Sequence, residues 1–343
     1  MESLRKKQTI SDILIEWKQD PVMRERIVHW HMIDKKDATL SDFPADLHMS
    51  IQQALKERGI NQLYSHQRQA YDMARTGHSF TAITPTASGK SLCYHLPVLQ
   101  SIVEDSSSRA LYLFPTKALA QDQKSDLNLL IEQMNQDILS YTYDGDTSPA
   151  IRTKVRKAGH IVLTNPDMLH SGILPHHTKW VSLFENLKYI VVDELHTYKG
   201  VFGSHVAHVL RRLKRICHYY GSNPVFICTS ATIANPKELA ESLTNESHQL
   251  IDQNGAPSGK KNFIFYNPPI VHPTFGVRRS AILEVRDLSK RLYNESIQTI
   301  VFAKSRVRVG MLVTYLKELT KKKIHDESIR GYRGGYLPSE RRL

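Results

Sequence analysis

YIVVDELHTYKGVFGSHVAHVLRRL, from Tyr189 to Leu213, is the stretch on which the fold turns. Its first four residues are apolar without alternation, which marks a strand covered on both faces rather than one with a solvated side. Two carboxylates, Asp193 and Glu194, end the run, and from Val206 to Tyr220 the apolar residues recur at helical spacing. The same grammar repeats on either side. FTAIT (80–84), ALYLFP (110–115), IVLTN (161–165) and VFICTS (225–230) are short β-rich runs, and SLCYHLPVLQSIV (91–103) has helical spacing. Apolar strands alternating with helices predict an α/β fold, a doubly wound parallel sheet with helices on both faces. Ligands of such sheets sit at the carboxyl ends of the strands. Polar residues gather at those ends: Thr84, Pro115-Thr116, Thr164-Asn165, Asp193-Glu194 and Ser230.

The expected boundaries follow from where this alternation starts and stops. Residues 1–46 read as a short helical prelude with scattered apolar positions such as Ile13, Trp17, Ile27 and Trp30. Residues 47–252 form the first domain, and QNGAPSGKK (253–261) reads as a linker. Residues 262–343 begin a second alternation with NFIFY (262–266), a helical segment at 279–295, TIVFAKS (299–305) and RVGMLVTYLKEL (308–319). That alternation stops too soon for another complete doubly wound sheet.

Composition narrows the partners. A net charge of +12 with a pI near 9.5 favours polyanions, because Lys and Arg neutralise phosphates and release counterions. The three cysteines, Cys93, Cys217 and Cys228, are not spaced as metal ligands or a redox pair and read as small buried hydrophobes. His205 and His208 are three apart, but without a third ligand they read as a helix face rather than a metal site. No apolar run approaches the ~20 residues of a membrane span, and the N-terminus lacks the apolar segment of a secretory signal. A cytoplasmic location with no membrane partner is the expectation.

TPTASGKS (84–91) follows a strand and opens a helix, so backbone N–H groups and the helix N-terminus can wrap an anion. Thr86, Ala87 and Ser88 would line the loop, and Gly89 permits close backbone approach. Lys90 supplies a point charge to phosphates, and Ser91 can hold Mg²⁺. The match is imperfect, since Thr84 stands where the phosphate-loop pattern has its first glycine. The second segment strengthens it: Asp193 is placed to hold Mg²⁺, and Glu194 to orient or deprotonate a water. Two carboxylates capping a helix would explain either segment alone, but not both at the tips of core strands. Together they point to nucleotide hydrolysis.

These segments resemble motifs of a known family. DELH at Asp193–His196 with the G-K-S loop, SAT at Ser230-Ala231-Thr232 and LYSHQ at Leu63–Gln67 resemble motifs II, I, III and Q of superfamily 2 DExH helicases. LYSHQRQA, the DELHTYKG…RRL run and YRGGYLPSERR (332–342) are similar, more narrowly, to the branch containing bacterial mitomycin repair factor A and its RecQ-related relatives. The resemblance covers nearly the whole chain and implies two RecA-like units, the second incomplete, in an ATP-dependent DNA repair helicase. It implies ATP with Mg²⁺ as cofactors, DNA with a single-stranded 3′ tail as partner, 3′→5′ movement and a monomer. Gln67 would read adenine, Lys90 and Ser91 would take phosphate and Mg²⁺, Asp193 the Mg²⁺, and Glu194 would be the general base. His196, Ser230 and Thr232 would couple hydrolysis to movement. FPTKALAQDQ (114–123) and TNPDMLH (164–170) resemble motifs Ia and Ib. They offer Pro115, Thr116, Lys117, Thr164, Asn165 and Pro166 to a sugar–phosphate backbone, with Gly145 in a glycine turn between them. Lys304, Ser305 and Arg306 are similar to motif IV, and Arg333 lies in YRGGY.

The sequence departs from the pattern in two places. Motifs V and VI have no counterpart before Leu343, and neither do the zinc-binding cysteines the family carries nearer its C-terminus, so zinc is expected only outside this chain. An arginine supplied across the nucleotide is worth ~10³–10⁵ in rate in related phosphoryl-transfer systems. The 343-residue chain is therefore expected to bind nucleotide and DNA but to hydrolyse slowly on its own. Two other readings stay open: an RNA helicase of the same superfamily, and a nucleic-acid-binding scaffold with a dead nucleotide site.

Overall fold

The structure, a computed structural model, describes residues 7–85, 87–319 and 328–332. They divide into two compact units, residues 35–259 and residues 1–34 with 260–343.

The larger unit is built on seven strands: β1 (Phe80–Ile83), β2 (Arg109–Leu113), β3 (Ser140–Thr142), β4 (Ile161–Thr164), β5 (Leu187–Val192), β6 (Val225–Ser230) and β7 (Gln249–Ile251). They lie in the order β7-β1-β6-β5-β2-β4-β3 and are all parallel. Alternate residues of each inner strand enter two separate cores. Ala110, Tyr112, Leu163, Val191 and Ile227 face one; Leu111, Leu113, Val162, Val192 and Cys228 face the other. The continuous apolar runs exist because neither sheet face meets water. Helices α1 (Met49–Glu57), α2 (Ser65–Arg75), α3 (Lys90–Glu104) and α4 (Lys117–Met134) contribute to the first core, and α5 (Gly200–Tyr219) and α6 (Pro236–Thr244) to the second. Each fully buried Leu, Ile or Val is worth ~1.5–3 kcal/mol relative to exposure, so the two-sided burial is the main source of this unit's stability. The three cysteines lie buried in these layers.

Buried histidines make this unit sensitive to acid. His95 is fully buried beside Tyr112, and burial, with a lesser contribution from Arg58, pushes its pKa down to about 3. Burial also lowers His248, whose ring nitrogens meet Thr81 and Thr244 at 3.0 and 2.9 Å. Below the ordinary histidine pKa of about 6.5 the unfolded chain takes up protons that the folded chain refuses. Stability is therefore complete above that pH and is lost as pH falls toward the folded-state values. For His95 the slope reaches ~1.4 kcal/mol per pH unit. Denaturant unfolding at stepped pH between 7.5 and 5.5 should show falling stability, with a shallower slope in His95→Gln.

In the smaller unit, Ile10–Gln19 and Pro21–Arg26 are helical, as the sequence suggests. Ile27–Ile33, however, is a strand, pairing antiparallel with Lys261–Tyr266. Residues 7–34 thus belong with the C-terminal stretch rather than with a separate prelude. Trp30 Nε1 donates to Asn262 Oδ1 at 2.9 Å across this ladder. TIVFAKS forms no strand, because it meets no pairing neighbour among the described residues. The stretch expected as a linker is only in part a spacer. Lys36 and Ser258 bridge, Thr39 N–H donates to Gly255 O at 2.9 Å, and Ala256 is buried, so residues up to 259 stay with the larger unit. No helix among the described residues is long and apolar enough to cross a membrane.

Candidate nucleotide site and strand-contact edge

All seven strands point the same way, so their carboxyl ends form one edge, and the strand order sorts its contents. The tips of β1, β6 and β5, three neighbours, carry the Thr84–Ser91 loop, Ser230 and the Asp193-Glu194 pair. The tips of β2, β4 and β3, the next three, carry Pro115–Lys117, Asn165-Pro166 and Gly145. Nucleotide-type residues occupy one half of the edge and backbone-contact candidates the other.

The loop is braced from within and from beneath. Thr84 is fully buried, with its Oγ1 2.5 Å from Ser88 Oγ, and its carbonyl accepts from Lys90 Nζ at 3.0 Å. A threonine in place of the pattern's first glycine therefore closes the loop by a side-chain bond. Gly89 caps α3 at φ +75, the left-handed region. A Cβ there would stand 2.6 Å from Gln67 Nε2, so both backbone angle and space call for glycine. Gln67, expected to read adenine, is almost completely buried; Nε2 donates to Gly89 O at 2.9 Å and Oε1 accepts from Tyr64 N–H at 3.0 Å. Its amide holds the loop in this conformation. Ser91 lies half-buried in the first turn of α3, beside Lys90.

His66 is a site residue that sequence reading missed. It is fully buried, with Nε2 3.1 Å from Ser88 O and Nδ1 accepting from Gly255 N–H at 3.2 Å. Burial lowers its pKa, against the opposing pull of the Ser88 carbonyl. The neutral ring can donate at Nε2 and accept at Nδ1, which both contacts require. It pins the phosphate loop to the 253–259 segment. A Cβ on Gly255 would fall 2.4 Å from Ser65 Oγ, so this approach too needs glycine.

At the tip of β5, Asp193 is 6% exposed, and burial pushes its carboxyl above the usual carboxylate range. Opposing that push, Oδ1 accepts from the Thr229 hydroxyl and from Glu194 N–H (2.8 Å), and the Lys90 charge acts in the same direction. Thr229 is the second missed residue; its signal was only its place beside Ser230 on β6. Glu194 is half-buried at φ +53, ψ +45, a left-handed backbone that costs a non-glycine residue ~1–2 kcal/mol. His196 Nδ1 lies 3.2 Å from Glu194 Oε2 without the alignment of a hydrogen bond. Among the described residues Ser230 Oγ and Tyr198 Oη are buried with no hydrogen-bond partner, whereas Thr232 is exposed.

Across the other half of the edge, Lys117 Nζ donates to Asp146 Oδ2 at 2.9 Å, which raises the lysine pKa. That bond joins the Thr116-Lys117 tip to the Gly145 turn, where a Cβ would lie 3.4 Å from the same Nζ. Pro115 is half-buried at the start of this tip, and Thr116 Oγ1 accepts from Leu119 N–H at 3.3 Å, capping α4. Asn165 Oδ1 accepts from Met168 N–H at 2.8 Å, and Pro166 is buried. Thr164, expected at the surface with them, is 2% exposed and donates its hydroxyl to Tyr143 O at 2.6 Å. It is the last residue of β4, so its side chain supports the tip instead of reaching outward. Lys304, Ser305 and Arg306 are exposed in the smaller unit, where Ser305 Oγ accepts from Arg308 N–H at 3.2 Å. Thr86 and Arg333 lie outside the described residues. Among the described residues no three His, Cys, Asp or Glu side chains cluster as metal ligands.

The family model for DEAD/DEAH box helicases matches residues 64–239. The chain is 63% identical over 337 residues to the ATP-dependent helicase YprA of Bacillus subtilis, covering 98% of this chain and 44% of that protein. It is 40% identical over 295 residues to the ATP-dependent helicase hrq1 of Schizosaccharomyces pombe, covering 83% and 28%. A crystal structure of the DUF1998 helicase MrfA bound to DNA and AMPPNP matches with a TM-score of 0.93 and 62% identity, over 98% of this chain and 46% of that one. The chain thus spans less than half the length of these relatives. By the family match over residues 64–239 and the 63% identity to YprA, the chain belongs to the DEAD/DEAH box helicase family.

Proposed function

We propose that this chain is the nucleotide-hydrolysing part of a DNA helicase that moves 3′→5′ along single-stranded DNA in the cytoplasm, in DNA repair. The observation that carries the reading is the sorting of one sheet edge into adjacent nucleotide and strand halves. DNA and AMPPNP in the MrfA structure support it.

The residues present suit ATP with Mg²⁺: a loop whose Gly89 takes a left-handed backbone, a lysine on the loop, a serine beside it and a buried carboxylate two strands away on the same sheet edge. When bound, that pair supplies the γ-phosphoryl group and the divalent charge that neutralises it. Lys90 would steady the phosphates, and Ser91 and Asp193 would hold the metal. Glu194 would take the proton of the attacking water. Ser230 offers an unused hydroxyl through which the site can register what is bound. Thr116, Lys117, Asn165 and the backbone at Gly145 would grip sugar and phosphate without reading bases.

Thr229→Val keeps the shape of the Asp193 partner and removes its hydroxyl. The carboxyl pKa should rise further, and turnover at neutral pH should drop roughly 10- to 150-fold, as expected for one lost hydrogen bond to a charged group worth ~1.5–3 kcal/mol, with recovery as pH is raised. An unchanged pH–rate profile would show that Thr229 does not tune Asp193.

Direction and reaction class are tested by strand displacement with the protein at the length of its relatives. A duplex with a 3′ tail should be unwound in the presence of ATP, and one with a 5′ tail should not. Equal activity on both would overturn the stated direction, and activity on neither would overturn the helicase reading.

A further inference from the structure

One face of α5 is left unexplained by the nucleotide site. The helix buries Gly203, Val206, Ala207, Leu210, Leu213 and Cys217 against the sheet. Its opposite side carries His205, His208, Arg212, Arg215 and Tyr219 at offsets of three and four, which puts them in a single stripe along the helix. Arg211 flanks the stripe. Among the described residues Arg211, Arg212 and Arg215 make no ion pair or side-chain hydrogen bond, while neighbouring Lys214 is committed to Glu246 and to Asn245 O. The stripe lines a groove of about 860 Å³ that begins at Pro166 and Asp167, immediately beyond the Asn165 tip of the strand-contact edge. Arg212, Arg215 and Tyr219 continue it past His177.

We propose that this face of α5 is a docking surface for the phosphate backbone of duplex DNA adjoining the single strand held at the sheet edge. The proposal rests on the DNA helicase reading and adds a second contact to it. Charge selects the ligand. Three unpaired guanidinium groups within five residues repel one another, with Asp167 the one carboxylate lining the groove, and a polyanion relieves that repulsion. Guanidinium forks match phosphate oxygens in geometry as well as charge. Shape selects the duplex. From Phe202 to Tyr219 the helix runs about 26 Å at ~1.5 Å per residue, a straight and rigid row. Along one strand of a duplex, phosphates are spaced at about 3.4 Å of helix axis, and Arg212 and Arg215, roughly 4.5 Å apart along the helix at ~1.5 Å per residue, can meet neighbouring ones. The groove adjoins the Asn165 tip, so one nucleic acid can touch both the edge and α5.

The test measures binding of a blunt duplex and of a single strand by the full chain across a range of salt, for the parent, Arg212→Gln/Arg215→Gln and Arg212→Lys/Arg215→Lys. The glutamine variant should bind duplex on the order of tenfold or more weakly at 0.1 M salt, with the slope of log affinity against log salt falling by about 0.9 per arginine lost. Its single-strand affinity should be unchanged. The lysine variant, which keeps the charge, should restore most of the duplex affinity, which a misfolded helix would not. Unchanged duplex affinity and slope in the glutamine variant would overturn the proposal. So would equal loss on both DNAs, which would make α5 a single-strand contact. If the parent binds neither DNA, the helicase reading fails along with it.

Discussion

Replacing Glu194 by Gln should stop ATP turnover and leave ATP binding intact. Loss of a positioned general base removes a factor of ~10²–10⁴ from the rate, and the amide of glutamine cannot accept the water's proton. The substitution is nearly isosteric and the residue is half-buried, so the φ of +53 and the bond from Thr197 Oγ1 to Glu194 O at 2.8 Å should survive. Asp193, which accepts from the Glu194 backbone N–H, keeps that contact. The expected outcome is a variant of the protein, at the length of its relatives, that binds AMPPNP as the parent does and hydrolyses ATP at least a hundredfold more slowly. A variant that loses nucleotide affinity instead would mean that Glu194 holds the site's shape and does not act on water.

The second large effect is expected at Lys90. Its amine donates to Thr84 O at 3.0 Å and lowers the Asp193 pKa by its charge, so it joins the loop to the carboxylate. Lys90→Ala removes the one lysine on the phosphate loop. Hydrogen bonds to charged groups are worth ~1.5–3 kcal/mol, so AMPPNP should bind roughly 10- to 150-fold more weakly at neutral pH. The Asp193 carboxyl should also titrate higher. The fold should persist, since Lys90 is half-buried and lies outside both cores. Unchanged nucleotide affinity would remove the Thr84–Ser91 loop from the phosphate site.

Much of the fold could be read from the chain because its inner strands are buried on both faces. β1, β2, β4, β5 and β6 appear as unbroken apolar runs for that reason. β3 and β7 do not: each has three residues at an edge of the sheet, too few for a pattern to form. Ile27–Ile33 misleads because Ile27 and Trp30, its two partly buried residues, fall three apart and imitate a helix face. The carboxylates and the phosphate loop were legible because their chemistry is local in sequence. His66 and Thr229 were not, since each acts on a partner brought near only by folding: Ser88 and Gly255 for His66, Asp193 for Thr229. Residue type also cannot say which way a hydroxyl points. Thr164 and Thr116 look alike as candidates at strand ends, yet one hydroxyl is spent on Tyr143 O inside the sheet and the other caps an exposed helix start.

The central claim is that hydrolysis at one half of the sheet edge answers to DNA at the other half. Its most direct measurement is ATP turnover by the protein at the length of its relatives, alone, with single-stranded DNA and with RNA of the same sequence. Turnover should rise with DNA and rise far less with RNA, whose extra 2′-hydroxyl is the group that distinguishes the two strands. Equal stimulation by RNA would turn the account toward an RNA helicase. Turnover that neither nucleic acid changes would contradict the coupling and leave a nucleic-acid-binding scaffold.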